Sequence, residues 1–291
     1  MTLLEANSYL KLTEEELSEL SALQARVDAS EQLSRYLDDA YRAIYLEERD
    51  HAEIEKIYNA CVPEDAFFGL FYILVGVRNM ERVIDFYREK GIALDILSHT
   101  LQDVALWIRN HKRYRGRLGL ESRYWISLGF GGKLFRLGRM EFEKTTIREE
   151  VQLPGLRQGD AALEGHVPQG EPLDHDACWA SYRAAFPFFE KYFQYHAKAV
   201  HLQTWMLDPA LREILPPESN IMRWQNDATL VPSGDLGSGI GRFVFGTKVI
   251  DPATAPRDTT LRRKIVERIE AGGSFSDRAG VILRETIMQG E

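Results

Sequence analysis

Cysteine is scarce in this chain, with Cys61 and Cys178 the only two among 291 residues. Two thiols cannot build a disulfide framework, and no Cys/His spacing resembles a zinc site. The expectation is therefore a reducing, cytoplasmic compartment and no metal. Long apolar runs are missing too. The most apolar stretch, FFGLFYILVGV (67–77), is too short to cross a bilayer, and Met1 is followed by acidic and polar residues rather than by a basic stretch and an apolar run. Neither a membrane anchor nor an export signal is expected. Positive charge is in deficit, 36 Lys and Arg against 44 Asp and Glu, for a formal net charge of −8. A phosphodiester backbone would meet no long-range attraction, which argues against a nucleic-acid partner and for a small molecule. Internal repeats and low-complexity tracts are also absent.

What is present is a core-forming composition, 44% hydrophobic, written in two grammars. The first is helical. TEEELSELSALQARVD opens with a capping box, Thr13 with Glu16, and sets Leu17, Leu20 and Leu23 at helical spacing. SEQLSRYLDDAYRAIYLE (30–47) repeats the device, and helices follow in AEIEKIYNACV, in the apolar run at 67–77, in MERVIDFYREKG with Gly91 as its C-cap, and in ALDILSHTLQDVALWIRNHKRYRG (93–116). From about residue 118 the pattern turns to strands: GKLFRLGRMEFEKTTI (132–147) as a hairpin or bulged pair, AALEGHVP (161–168), AKAVHLQTWML (197–207), SNIMRWQNDATLV (219–231) and GRFVFGTKVI (241–250). Between them lie a long aromatic helix (175–196) and a short helix, DPALREIL, with Asp208 as N-cap and Pro209 at its first position.

The order from residue 93 onward is helix, three strands, helix, strand, helix and two strands. That order is similar to the core of the GNAT acyltransferases. The runs LFRLGRMEFE, HVPQGEPLD, QTWMLDPALREILPPESNIMRWQ, VFG and PRDTTLRR resemble a bacterial acyltransferase family with a helical N-terminal domain and a GNAT-like C-terminal domain, over essentially the whole chain. The resemblance implies an α+β fold, with a helical domain over residues 1–118 packed on a GNAT-like, mixed, mostly antiparallel sheet with flanking helices over residues 119–291. It implies transfer of an acetyl or other short acyl group from acetyl-CoA, or another acyl-CoA, to a small-molecule amine acceptor.

In such a fold the strand before the long helix splays from the next strand to receive the pantetheine arm, and the turn into the helix offers N–H groups to the pyrophosphate. The stretch LEGHVPQGEPLD (163–174) occupies that place, so Val167, Gln169 and Gly170 are the expected cofactor contacts, with AKAVHLQTWML as the splayed partner. The turn departs from the glycine-rich pattern of such enzymes. Pro168 and Pro172 lack donors, and Glu171, Asp174 and Asp176 suit a helix start but repel a pyrophosphate. These acids fit equally a GNAT-derived module that binds a ligand or partner without catalysis. Glu164 and His166, at i and i+2, share one strand face and are the candidates for the base that deprotonates the amine, His166 first because an imidazole titrates near neutral pH. His201 and Gln203 share a face of the next strand and could reach the same cleft or be satisfied polar residues. Gln203, Asn220 and Arg223 are the expected substrate contacts, the last two spaced with Gln225 along a predicted strand that could line a cleft or face solvent. Trp205 and Trp224 read as core or pocket wall. The basic run RNHKRYRGR (109–117) could meet phosphates or stabilise a solvated helix end.

Overall fold

The computed structural model describes residues 1–47, 53, 56, 68–234 and 236–289. Cys61 and most of the helix expected over 52–62 lie outside the described residues. The chain divides into two compact units, Met1–Arg136 and Leu137–Glu291. Among the described residues no helix is long and apolar enough to cross a membrane.

The first unit is helical, with α1 (Leu3–Leu10), α2 (Glu14–Asp28), α3 (Glu31–Tyr41), α4 (Phe71–Arg78), α5 (Met80–Lys90), α6 (Leu94–Arg115) and α7 (Arg123–Phe130). The start and stop signals act as the sequence predicts. Thr13 accepts from the Glu16 N–H while the Glu16 carboxylate returns to the Thr13 N–H, and Gly91 closes α5 at a φ of 70°. Helix α4 is apolar on every side and buried from Phe71 to Val77, the pattern of a helix enclosed by others. Gly76 lets it approach α7, since a Cβ there would lie 2.3 Å from the Phe130 ring. The basic run at the end of α6 is matched by acids: Arg109 pairs with Glu16 at 2.8 Å, Lys112 with Glu15 at 2.6 Å and Arg115 with Glu121 at 3.0 Å. Arg113 and Arg117 instead stack on the rings of Tyr114 and Phe68.

After the pattern change near residue 118 the chain makes one more helix, α7, before the strands begin. These are β1 (Phe135–Leu137), β2 (Met140–Thr146), β3 (Ala161–His166), β4 (Ala199–Thr204), β5 (Thr229–Leu230) and β6 (Arg278–Leu283), interleaved with α8 (His175–Phe193), α9 (Asn220–Asp227), α10 (Thr260–Glu270) and α11 (Arg284–Gln289). The six strands lie in the order β1-β2-β3-β4-β6-β5. Pairs β2/β3, β4/β6 and β5/β6 are antiparallel, whereas β3 and β4, joined through α8, run parallel. Helix α8 covers one sheet face through Tyr182, whose ring meets Phe142 edge-on at 6.2 Å.

Two expected strands are something else. Asn220 and Arg223 are three residues apart, a helical spacing, and SNIMRWQN forms α9, capped by the Ser219 hydroxyl accepting from the Met222 N–H. Only Thr229–Leu230 of that stretch is strand. GRFVFGTKVI holds a single helical turn over Gly241–Phe245 instead of a strand. The strand expected over 197–207 ends at Thr204, where Trp205–Leu207 tightens into a 3-10 turn, and Asp208 caps the next turn by accepting from the Ala210 N–H as expected. The place left in the sheet goes to β6, RAGVIL. A buried run this short carries no alternation to distinguish it from a helix end.

Trp205 and Trp224 are both buried, but on 3-10 and α-helical turns rather than on adjacent strands. The Trp224 indole N–H donates to the buried Tyr182 hydroxyl at 2.8 Å. Tyr182→Phe leaves that N–H without its acceptor in the core, so unfolding by urea should show a loss of about 1–3 kcal/mol with little change in the denaturant slope.

Candidate active site

The ladder between β3 and β4 is short. It pairs Ala162 with Ala199, Leu163 with Val200 and Glu164 with His201, and there it stops. Both strands run on, β3 to His166 and β4 to Thr204, each still held on its outer side: His166 faces Glu141 of β2, and Thr204 faces Arg278 of β6. The inner edges therefore diverge beyond Glu164 and His201. This is the splay expected from the sequence, between the two strands expected to make it.

Register sets which side chains share the face away from α8. Opposed residues project to the same side. Glu141 and Glu143 of β2, Glu164 and His166 of β3, and His201 and Gln203 of β4 therefore stand on one surface. Apolar Ala162, Ala199, Ala279 and Val281 continue that surface and pack with Ile147, Leu156 and Val231.

The polar residues divide into two groups by burial. His201 is fully buried and lies between two carboxylates, with Nδ1 at 2.9 Å from Glu164 Oε2 and Nε2 at 3.1 Å from Glu149 Oε2. Arg148 donates to Glu164 at 2.6 Å and to the Gln203 side-chain oxygen at 3.3 Å. Burial is the largest influence on the Glu164 carboxyl and would raise it, yet the His201 hydrogen bond and the charges of His201, His166 and Arg148 hold it below its ordinary value. Burial likewise would lower the His201 imidazole, but the Glu164 hydrogen bond and the charges of Glu164 and Glu149 hold it above. Both shifts run in the direction of an imidazolium facing a carboxylate. The second group is His166 with Glu143, their side chains each 25% exposed and joined at 3.2 Å through His166 Nε2.

The turn after β3 is built as a junction. Arg139, in the β1–β2 hairpin, donates through Nε to the Pro172 carbonyl at 2.8 Å and through Nη2 to the Glu171 carbonyl at 3.0 Å. Its backbone N–H donates to Ser181 of α8 at 2.8 Å. Asp174 caps α8 by accepting from the Ala177 N–H. Gly170 takes a φ of 95°, open to glycine and strained for other residues. The Gln169 amide reaches the Phe243 carbonyl at 3.5 Å. Val167, Gln169 and Gly170 therefore lie between the end of β3 and the start of α8.

Of the residues singled out from sequence, Glu164, His166, His201 and Gln203 come together on one face beside the splay. Asn220 and Arg223 do not join them. They lie exposed on α9, which packs through Trp224 on Tyr182 of α8, and α8 covers the opposite face of the sheet. The strand on which they were expected does not exist, and its polar spacing belongs to the outer side of a helix. Glu143, Arg148 and Glu149 were missed, because only the register of β2 against β3 and the return of the chain after β2 bring them to the site. Arg139 was missed because its side chain acts on carbonyls more than thirty residues away in sequence. Among the described residues no group of three or more His, Cys, Asp or Glu could hold a metal ion.

The His201 contribution to stability is fully present below the ordinary histidine value of 6.5 and is lost as pH rises through its raised folded value. The Glu164 contribution is present above the ordinary 4.5 and is lost as pH falls through its lowered folded value. Both act together between 4.5 and 6.5. His201→Gln should therefore cost about 3 kcal/mol in that window, as loss of one partner of a buried pair does. Urea unfolding across pH should show the deficit shrinking on either side; a deficit independent of pH would mean a neutral imidazole.

Residues 1–132 match the N-acyltransferase N-terminal domain and residues 134–282 the GNAT-like C-terminal domain. Among solved structures, an acyltransferase variant in complex with octanoyl-CoA is similar at a TM-score of 0.81 and 26% identity, over 96% of this chain and 86% of that one. An acyltransferase in complex with CoA and 10C-teicoplanin gives the same values. One in complex with decanoyl-CoA and teicoplanin gives a TM-score of 0.79 at 26% identity over the same shares. No curated protein matches the chain. With a family match over more than half its length and a splayed parallel pair at the centre of its sheet, the chain belongs to the acyltransferase family that has a GNAT-like C-terminal domain.

Proposed function

We propose that this protein transfers an acyl group from an acyl-CoA thioester to an amine of a small-molecule acceptor, directly and without a covalent enzyme intermediate. The observation that carries the reading is the splay: β3 and β4 stop pairing at Glu164 and His201 while both strands continue. The diverging edges offer backbone donors and acceptors to an amide-bearing chain such as pantetheine. The similarity to acyltransferases holding octanoyl-CoA and decanoyl-CoA supports the same co-substrate class here, and favours a medium-length acyl chain over the acetyl or other short acyl group that the family resemblance implies. The teicoplanin complexes support a small-molecule acceptor.

In this reading the amine nitrogen attacks the thioester carbonyl carbon, the carbon–sulfur bond breaks, the amine proton goes to the enzyme, and the departing thiolate takes up one proton in return, from the enzyme or through water, so that free CoA leaves and the enzyme is restored. His166 takes the amine proton. It stands past the last β3–β4 pair, where the strands diverge, and it is partly exposed, whereas His201 and Glu164 are enclosed and committed to each other. Glu143 accepting at Nε2 leaves Nδ1 as the ring's acceptor nitrogen. Glu164 is a positioning residue that holds His201 and Arg148 at the vertex of the splay.

Two measurements test this. Calorimetric titration with acetyl-, octanoyl- and decanoyl-CoA, paired with thiol release in the presence of primary amines, should show binding and amine-dependent turnover, stronger with the longer esters. Failure of every ester to bind would remove the reading, and binding without thiol release for any amine would turn it into the non-catalytic module. For the base, His166→Gln should lower kcat by roughly a hundredfold with the Kd for CoA essentially unchanged, and Glu143→Gln should shift the pH profile of kcat. A kcat equal to the parent's would make His166 structural.

A further inference from the structure

The turn after β3 can offer backbone N–H groups to a diphosphate, but its own stretch of sequence supplies no cation. No Lys or Arg occurs between Gln158 and Tyr182, while Glu171, Asp174 and Asp176 crowd the junction. Arg139 is close, but it is buried, and its Nε and Nη2 donate to the carbonyls of Pro172 and Glu171.

A distant segment reaches this place. The single helical turn Gly241–Phe245 is anchored at both ends. On the entering side the Gly239 N–H donates to the Asp277 carboxylate at 2.6 Å, and the Asp277 N–H donates to the Gly237 carbonyl at 2.8 Å. Asp277 directly precedes β6, whose Arg278 pairs with Thr204 at the end of β4. On the leaving side Arg262 of α10 donates to the Val244 carbonyl through Nε at 3.0 Å and Nη2 at 2.6 Å, with its guanidinium 5.6 Å from the Phe245 ring centroid. Between these anchors the Phe243 carbonyl receives the Gln169 amide at 3.5 Å. The helical turn thus runs from the end of the β4/β6 pair to the turn after β3, across the open end of the splay. Arg242 is exposed on it, one residue from the contact with Gln169.

We propose that Gly237–Gly246 is a strap across the mouth of the β3–β4 splay, and that Arg242 on this strap binds a phosphate of CoA, supplying the charge that the acidic turn lacks. A guanidinium suits a diphosphate because its donors form a planar fork and its charge does not titrate. The anchors at Asp277 and Val244 hold the backbone in place before the ligand arrives, so little ordering is needed on binding. The strap also explains how an acidic junction can serve an anionic co-substrate: the cation comes from a segment about seventy residues downstream of Gln169.

This inference rests on the acyl-CoA reading, and the test separates the two. The parent protein is titrated calorimetrically with octanoyl-CoA and with S-octanoyl-pantetheine, which keeps the thioester and pantetheine arm but has no phosphate. Arg242→Ala is then titrated with both. The expected result is a Kd for octanoyl-CoA raised about tenfold or more, the scale of one charge-assisted hydrogen bond, with the Kd for S-octanoyl-pantetheine unchanged. Arg242→Lys should fall between the parent and Arg242→Ala for octanoyl-CoA. An unchanged Kd for octanoyl-CoA in Arg242→Ala, or an equal loss for both ligands, overturns the role of Arg242. A parent that binds neither ligand removes the acyl-CoA reading itself.

Discussion

The buried contact between Glu164 and His201 fixes where the sheet opens, and the candidate chemistry follows from that point. Two parallel strands pair for three residues and then part. Ending a ladder early exposes backbone groups that would otherwise satisfy each other, so something must hold the strands apart. Both faces contribute at the vertex. On the α8 side, Gly165 has no side chain, and a Cβ there would come within 2.9 Å of both Val200 and Leu202, so those side chains lie across the strand where it begins to diverge. On the other side, Glu164 and His201 are the last opposed pair, and their side chains are locked together and to the segment that follows β2.

That lock balances in charge. Arg148 and His201, whose imidazole is held above its ordinary value, face Glu149 and Glu164, two basic groups against two acidic ones. Taking such groups out of water costs several kcal/mol each, and their attraction inside repays it only where every polar atom finds a partner. Here both imidazole nitrogens and both Glu164 oxygens have partners. A network of this kind is weak evidence for net stability and better suited to specifying geometry, in this case the register of β3 against β4 and the docking of residues 148–149 on the sheet face. Its further effect is to separate two histidines that the sequence presents alike. His201 is sealed between Glu164 and Glu149, while His166, beyond the last paired residue, keeps a partly open ring that meets Glu143.

The helical half was legible because its signals are local. A capping box at Thr13, a C-cap at Gly91 and an apolar run at 67–77 each act within a few residues, and α2, α5 and α4 follow them. The strands that make the splay were also legible, since 161–168 and 197–207 are short segments mixing apolar residues with a few polar ones, on either side of a long helix. What failed was the reading of polar spacing over 219–231. Ser219 followed by a three-residue repeat is a helix start, yet β-rich surroundings drew the stretch into the sheet, and Asn220 and Arg223 went with it. Strand β6 was invisible for the opposite reason, being short and apolar with no alternation. In the site, Glu164 and His166 could be placed on one face from period two alone. Glu143, Glu149 and Arg148 could not, because register across a hairpin and the path of a returning loop are tertiary facts that no local pattern encodes.

The acids of the turn show why charge counted along a chain misjudges a site. Glu171, Asp174 and Asp176 read together as repulsion toward a diphosphate. In the fold they do different work. Asp174 satisfies the Ala177 N–H at the start of α8, so its charge is engaged with the helix end, where an acid stabilises the exposed donors. The carbonyls of Glu171 and Pro172 are held by Arg139, which places a guanidinium beneath the turn. Arg139 reaches the turn from the preceding hairpin, and in the proposed site Arg242 reaches it from the strap; neither is adjacent to it in sequence. A group 4 Å away in a low-dielectric pocket outweighs several in water, so which charges face the ligand matters more than how many lie nearby in the chain. The junction can therefore be acidic in sequence and still receive an anion, provided the cations reach it through the fold.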